Sequence, residues 1–129
     1  MTGYLLDTVA ALRWWTDPSR MGARARELVE NGDATIFLSA VSIWEIANKN
    51  RIGKLPQVSG FERDYPGLVQ ANGFAMLPLN DRHAIRAGYL PGEHRDPFDR
   101  LLAGQALVEE MTVLTNDHAM AAFGCKVLW

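Results

Sequence analysis

Five short apolar runs, separated by segments of helical periodicity, constrain this chain more than any other feature. The runs are Tyr4 to Leu6, Thr35 to Leu38, Phe74 to Leu77, Thr112 to Thr115 and Lys126 to Leu128. Each is strand-sized and bounded by turn residues or by the start of a helical pattern. Between them lie a helix-compatible stretch through Val9, Leu12 and Trp15, then a helix from Arg20 to Glu30 ending at Asn31-Gly32. Further helices are predicted from Ser42 to Asn50, over 60 to 72 with a break expected at Pro66, and from Asp81 to Ala87. A loop from Gly88 to Arg95 precedes the longest helix, Pro97 to Glu110, and a short one follows from Asp117 to Phe123. Strands alternating with helices imply an α/β domain with a parallel sheet, because parallel neighbours need crossover connections.

Composition narrows the class. A chain of 129 residues, 48% apolar and 22% charged, is expected to form one globular domain over 1–129. The net charge of −2 argues against a generally basic nucleic-acid binder and leaves local patches open. The single cysteine, Cys125, excludes an intrachain disulfide and fits a reducing, cytoplasmic setting; it reads as a small buried residue. The first twelve residues lack a basic leader region and meet Asp7, which does not suit a signal peptide. No apolar run reaches the roughly 18 residues that suggest a membrane span, so no membrane role is expected.

Two strands end alike. Asp7 stands just past the first, in YLLD, and Asp117 just past the fourth, in TVLTND. Open parallel sheets bind ligands outside the carboxyl ends of their strands, where strand order reverses. If strands one and four flank that reversal, both acids face one crevice. An aspartate after a strand serves equally well as the N-cap of the next helix. Glu45 is a third acid near that edge, yet Ser42 and Glu45 match a capping box, and local pattern favours that role. Asp96 before Pro97 reads as an N-cap followed by proline at the first helical position. Asp99, within the first turn of the same helix, is left free to project a carboxylate forward.

Acids gathered in one pocket repel one another unless some are protonated or a cation compensates. All-oxygen donors suit Mg2+ or Mn2+, and a hard metal on carboxylates suits phosphodiester hydrolysis. The chain has no Walker loop, no GxSxG, no HExxH and no paired cysteines to support another chemistry.

LLDT, SAVSIWEIANK, HRDPFDRLLAGQA and VLTNDHAMAAFGCKVLW, in that order, resemble the PIN-domain family, and within it the VapC-type ribonuclease toxins of type II toxin–antitoxin systems. The resemblance implies a three-layer α/β/α domain with a central, mainly parallel sheet of four to five strands. Carried over by position, the acidic site falls on Asp7, Glu45, Asp99 and Asp117, with Asp7 and Asp99 as the Mg2+ contacts and Mn2+ as a substitute. Thr115 occupies the place of a supporting hydroxyl, and Asp96 stands at the edge of the site. The implied activity is metal-dependent hydrolysis of RNA. The implied partners are a cognate antitoxin, whose arginine would pair with the acids, and a second copy in a homodimer. Relatives often carry histidine where this chain has Val9, which bears on substrate preference more than on catalysis.

Two other classes compete. A receiver-like signalling domain also clusters acids around Mg2+, but strand three here ends in Leu77-Pro78-Leu79 and offers no phosphoacceptor. A non-catalytic scaffold of the same fold has no need of the acid set. Among the remaining residues, Lys49, Arg51 and Lys54 form a basic patch whose first explanation is dipole complementation, with RNA phosphate contact second. Arg95 and Arg100 could serve acids or phosphate. His83, His94 and His118 lack ligand spacing and are expected on the surface or in loops. Trp14, Trp15 and Trp44 suit core or interface positions.

Overall fold

In the computed structural model, which describes residues 3–129, five strands form one sheet. They are β1 (Gly3–Leu6), β2 (Thr35–Ser39), β3 (Ala75–Leu77), β4 (Thr112–Leu114) and β5 (Val127–Leu128). The helices are α1 (Thr8–Thr16), α2 (Ala23–Asn31), α3 (Ala40–Arg51), α4 (Phe61–Ala71), α5 (Asp81–Gly88), α6 (Pro97–Glu109) and α7 (His118–Ala122). All strand pairs are parallel and the order is β3-β2-β1-β4-β5. The sheet therefore grows outward from β1 to β3, then returns to place β4 on the other side of β1. That reversal is the topological switch point, and it lies between the two strands that end in aspartates.

Alternation along the strands divides the core. Leu6, Leu38 and Leu114 face one side, where Ala10 and Ala11 of α1 and Ala25 and Val29 of α2 cover them. Leu5 and Val113 face the other, against Leu102, Ala103 and Ala106 of α6, Met120 of α7 and Phe123. A three-layer α/β/α arrangement follows from this two-sided burial, since a sheet apolar on both faces needs helices on both.

Several boundaries differ from the sequence expectation, each for a local reason. Arg20 belongs to a separate 3-10 turn, Pro18–Arg20, so α2 starts only at Ala23. Helix α4 runs through Pro66, whose exposed position leaves the freed carbonyl to solvent. Strand β2 extends to Ser39, whose hydroxyl caps α3 by accepting from the Val41 N–H at 2.9 Å. Helix α3 thus begins at Ala40, two residues earlier than Ser42.

Two buried contacts fix α6 against the sheet and α5. The Ser39 hydroxyl donates to the Gln105 side-chain oxygen at 2.6 Å, both residues being fully buried. Gly104 lets α5 approach so closely that an added Cβ would stand 2.7 Å from the His83 carbonyl and 2.8 Å from the Ala87 methyl. Among the described residues, no helix is long and apolar enough to cross a membrane.

Backbone atoms cannot give way at Gly104 as a flexible side chain would. Gly104→Val is expected to destabilise the chain by about 1–3 kcal/mol or more through overpacking, measured by urea unfolding.

Candidate active site at the carboxyl edge of the sheet

The parallel register sets Leu6 beside Leu114, so Asp7 emerges next to Thr115. Three hydrogen bonds then fix Asp7. Its backbone N–H donates to the Leu114 carbonyl at 3.3 Å, and its carboxylate accepts from Ala10 N–H at 2.7 Å, capping α1. The Thr115 hydroxyl donates to its second oxygen at 2.5 Å. Capping and membership of the crevice are therefore not alternatives for Asp7, because one oxygen serves each. Thr115 in turn accepts from the Asp117 N–H at 2.9 Å, and the exposed Asp117 carboxylate caps α7 through Ala119 N–H at 2.9 Å.

Asp99 comes from the first turn of α6. As expected, Asp96 caps that helix, accepting from Phe98 N–H at 2.9 Å, with Pro97 at the first helical position. Asp99 is left half-buried, with one oxygen 2.8 Å from Nε2 of His94. His94, Asp96 and Asp99 bring ligand-type atoms within 4.8 Å of one another. This grouping centres on Asp99 and does not include Asp7.

Asp7, Asp99 and Asp117 nonetheless share one electrostatic neighbourhood. Burial pushes the Asp7 carboxyl up to about 6 against the stabilising bonds from Thr115 and Ala10, and the charges of Asp99 and Asp117 add to the rise. Burial likewise raises Asp99, with the His94 bond opposing and Asp96 and Asp117 reinforcing. Oxygen donors placed where their charges repel fit a hard divalent cation, which would relieve that repulsion.

Glu45, on α3, departs from its expected role, and it is not among the charges that act on Asp7 or Asp99. The helix is capped by Ser39, so no capping box forms with Ser42. Ser42 is instead fully buried, its hydroxyl 2.9 Å from that of Thr8, and this bond ties α3 to the start of α1. Glu45 is buried one turn further on and pairs with Lys49 at 2.8 Å. Lys49 is thus committed to an acid and does more than complement the helix dipole; the i,i+4 spacing carried that signal. Arg51 bonds Asn48, and Lys54 is exposed.

His83 corrects another expectation. It is buried, not superficial: its ring accepts from the Asn80 N–H at 3.2 Å and meets Glu109 at 2.7 Å, linking α5 to α6. Arg100 bonds three backbone carbonyls of the loop between α5 and α6. His118 is exposed, Trp15 packs on Phe61 and Phe74, and Trp44 is exposed against Phe98. Cys125 is buried as expected, and burial pushes its thiol up to about 11. A cleft of about 650 Å³ between α3 and α4, lined by Ile43, Asn48, Phe61 and Tyr65, contains none of the four acids.

The sequence profile of the PIN domain matches residues 4–124. The chain belongs to the PIN domain family. Solved structures show the same fold. VapBC2 from Rickettsia felis, bound to a promoter DNA fragment, is 17% identical, with 99% of this chain and 98% of that one covered and a TM-score of 0.73. DNA-bound VapBC from Salmonella typhimurium is 18% identical, with 99% and 98% covered and a TM-score of 0.69. FitAcB from Neisseria gonorrhoeae is 18% identical over 98% and 96%, with a TM-score of 0.62. No match was found among curated protein sequences. In this PIN domain the switch-point topology, rather than any contiguous motif, brings Asp7 and Asp117 to one edge.

The raised Asp7 carboxyl makes stability depend on pH. In the metal-free chain folded Asp7 keeps its proton up to about pH 6, whereas its ordinary value is 3.8. The folded state binds the extra proton between those values, so stability falls as pH rises across them, by about 2–3 kcal/mol. In Asp7→Asn this contribution is expected to vanish, so the variant gains on the native chain as pH rises from 4 to 7, measured by denaturant unfolding.

Proposed function

We propose that this PIN domain is a Mg2+-dependent endoribonuclease of the VapC type, held silent by a cognate antitoxin. The observation that carries the proposal is the convergence of Asp7, Asp99 and Asp117 from β1, α6 and the β4–α7 junction, with two of the three carboxyls raised. Asp7 and Asp99 would hold the cation, and Glu45 and Asp117 complete the acidic pocket. Bound there, Mg2+ or Mn2+ supplies Lewis acidity towards a phosphate oxygen and activation of a water nucleophile.

The chain's own groups hold and orient. Thr115 locks one Asp7 oxygen, and the α1 N-terminus locks the other side of the same carboxylate. Asp96 starts α6 and so sets the level at which Asp99 leaves the helix. One of these carboxylates would act as the general base that accepts a proton from the attacking water. Lys49, held on Glu45, offers a cation beside the acids for a phosphate of the RNA backbone.

The antitoxin reading draws on the resemblance to VapC-type toxins and on structural neighbours named VapBC2 and VapBC. It also draws on an apolar groove of about 280 Å³ between α3 and the start of α6, lined by Val41, Trp44, Leu79, Phe98 and Leu101. A partner arginine entering the carboxylate pocket would form charge-assisted bonds. A homodimer belongs to the same reading, and Ile85 and Tyr89 are exposed apolar side chains available on α5 and at its end.

Purified chain, freed of partner, is expected to cleave RNA in Mg2+ or Mn2+ and to stop on chelation. Asp7→Asn and Asp99→Asn are each expected to reduce cleavage at least about 100-fold, beyond the usual cost of losing a group that only supports a metal ligand. Cleavage that survives chelation, or full activity in the double variant, overturns the proposal.

A further inference from the structure

His94 lies in a loop, five residues before Asp99, at a spacing that no helix or strand makes meaningful. The structure nevertheless restrains it from several directions. The Arg100 guanidinium donates to three carbonyls of the loop: from Nε to His94 at 2.5 Å, from Nη1 to Leu90 at 2.8 Å and from Nη2 to Gly92 at 2.8 Å. One planar fork thereby fixes both ends of the segment that carries the imidazole. Phe123 packs edge-on to the His94 ring, with centroids 5.6 Å apart, and its face lies 5.4 Å from the Arg100 guanidinium carbon. The loop's last residue, Asp96, is anchored as the α6 cap.

These restraints converge on one contact, Nε2 of His94 at 2.8 Å from Oδ2 of Asp99. Among the described residues the other Asp99 oxygen, Oδ1, has no hydrogen-bond partner. We propose that His94 is a positioning residue: its imidazole holds Oδ2 of Asp99 so that Oδ1 is presented to the divalent cation. The proposal rests on the reading of Asp99 as a metal contact. It assigns Arg100 and Phe123 a joint role as the frame that aims the ring. A carboxylate that ligates a metal gains from a second hydrogen bond that fixes its rotation, and losing such partners typically costs about 10–100-fold in metal affinity.

Mn2+ affinity of the full chain, measured by electron paramagnetic resonance and calorimetry without RNA, tests this directly. His94→Ala and His94→Phe are both expected to weaken Mn2+ binding about 10–100-fold. His94→Gln, which keeps an N–H donor, is expected to stay within a few-fold of the native chain. His94→Phe retains a ring against Phe123, so loss of affinity in that variant separates the hydrogen bond from packing. Native affinity in His94→Phe overturns the inference, and so does a nitrogen coupling in the Mn2+ spectrum that marks His94 as a direct ligand. If Asp99→Asn binds Mn2+ as the native chain does, or the native chain binds none, the metal reading of Asp99 fails and this inference falls with it. Loss in Asp99→Asn alone leaves that reading intact and refutes only the role of His94.

Discussion

Asp7 joins three parts of the molecule through one residue. Its N–H extends the β1–β4 ladder past Leu114, one carboxylate oxygen starts α1, and the other receives the Thr115 hydroxyl. Each bond is of a common kind, and together they hold a carboxylate where burial disfavours its charge. The geometry of the crevice follows from this placement, because Thr115 also receives the Asp117 N–H and so relays the position of Asp7 to the second strand end. A carboxylate with fewer donors would swing towards solvent and give up its raised proton affinity.

The opposite wall is built by different means. Helix α6 is fixed in depth by the Ser39–Gln105 bond and by the close approach at Gly104, both well inside the protein. Its first turn is fixed by Asp96 and Pro97. Asp99 therefore projects from a helix whose start and middle are independently constrained. On the third side, the Thr8–Ser42 bond draws α3 against α1 and sets Glu45 one turn above the contact. The acids depend on buried polar pairs that each join two elements, and such pairs specify rotation and depth more sharply than apolar packing alone.

Much of this was legible in the sequence. The five apolar runs correspond to five strands, and the two strand-end aspartates do flank the reversal of strand order. Asp96 and Pro97 announced the α6 start through local chemistry alone. Misreadings arose where a distant partner decided the outcome. Ser42-x-x-Glu45 has the spacing of a capping box, but Ser39 lies closer to the strand end and takes the cap, while Thr8, 34 residues away, claims Ser42. His83 looked superficial because Glu109, its partner on α6, lies 26 residues further along the chain. The aim of His94 on Asp99 depends on Arg100 bonding backbone carbonyls, which no side-chain pattern encodes. Periodicity and caps are local and readable, whereas tertiary hydrogen bonds are not.

The sheet's two edges are short: β3 contributes three residues and β5 only two. Such edges present few unpaired backbone groups and make poor templates for another strand. Unfilled surface lies in the cleft between α3 and α4, in the Trp44–Phe98 groove, and in a cleft of about 530 Å³ where Lys126, Val127 and Leu128 meet Arg24 and Leu28 of α2. Anything that docks on these clefts would be met by side chains more than by free strand groups. Those side chains can change without disturbing the strand ends that carry Asp7 and Asp117.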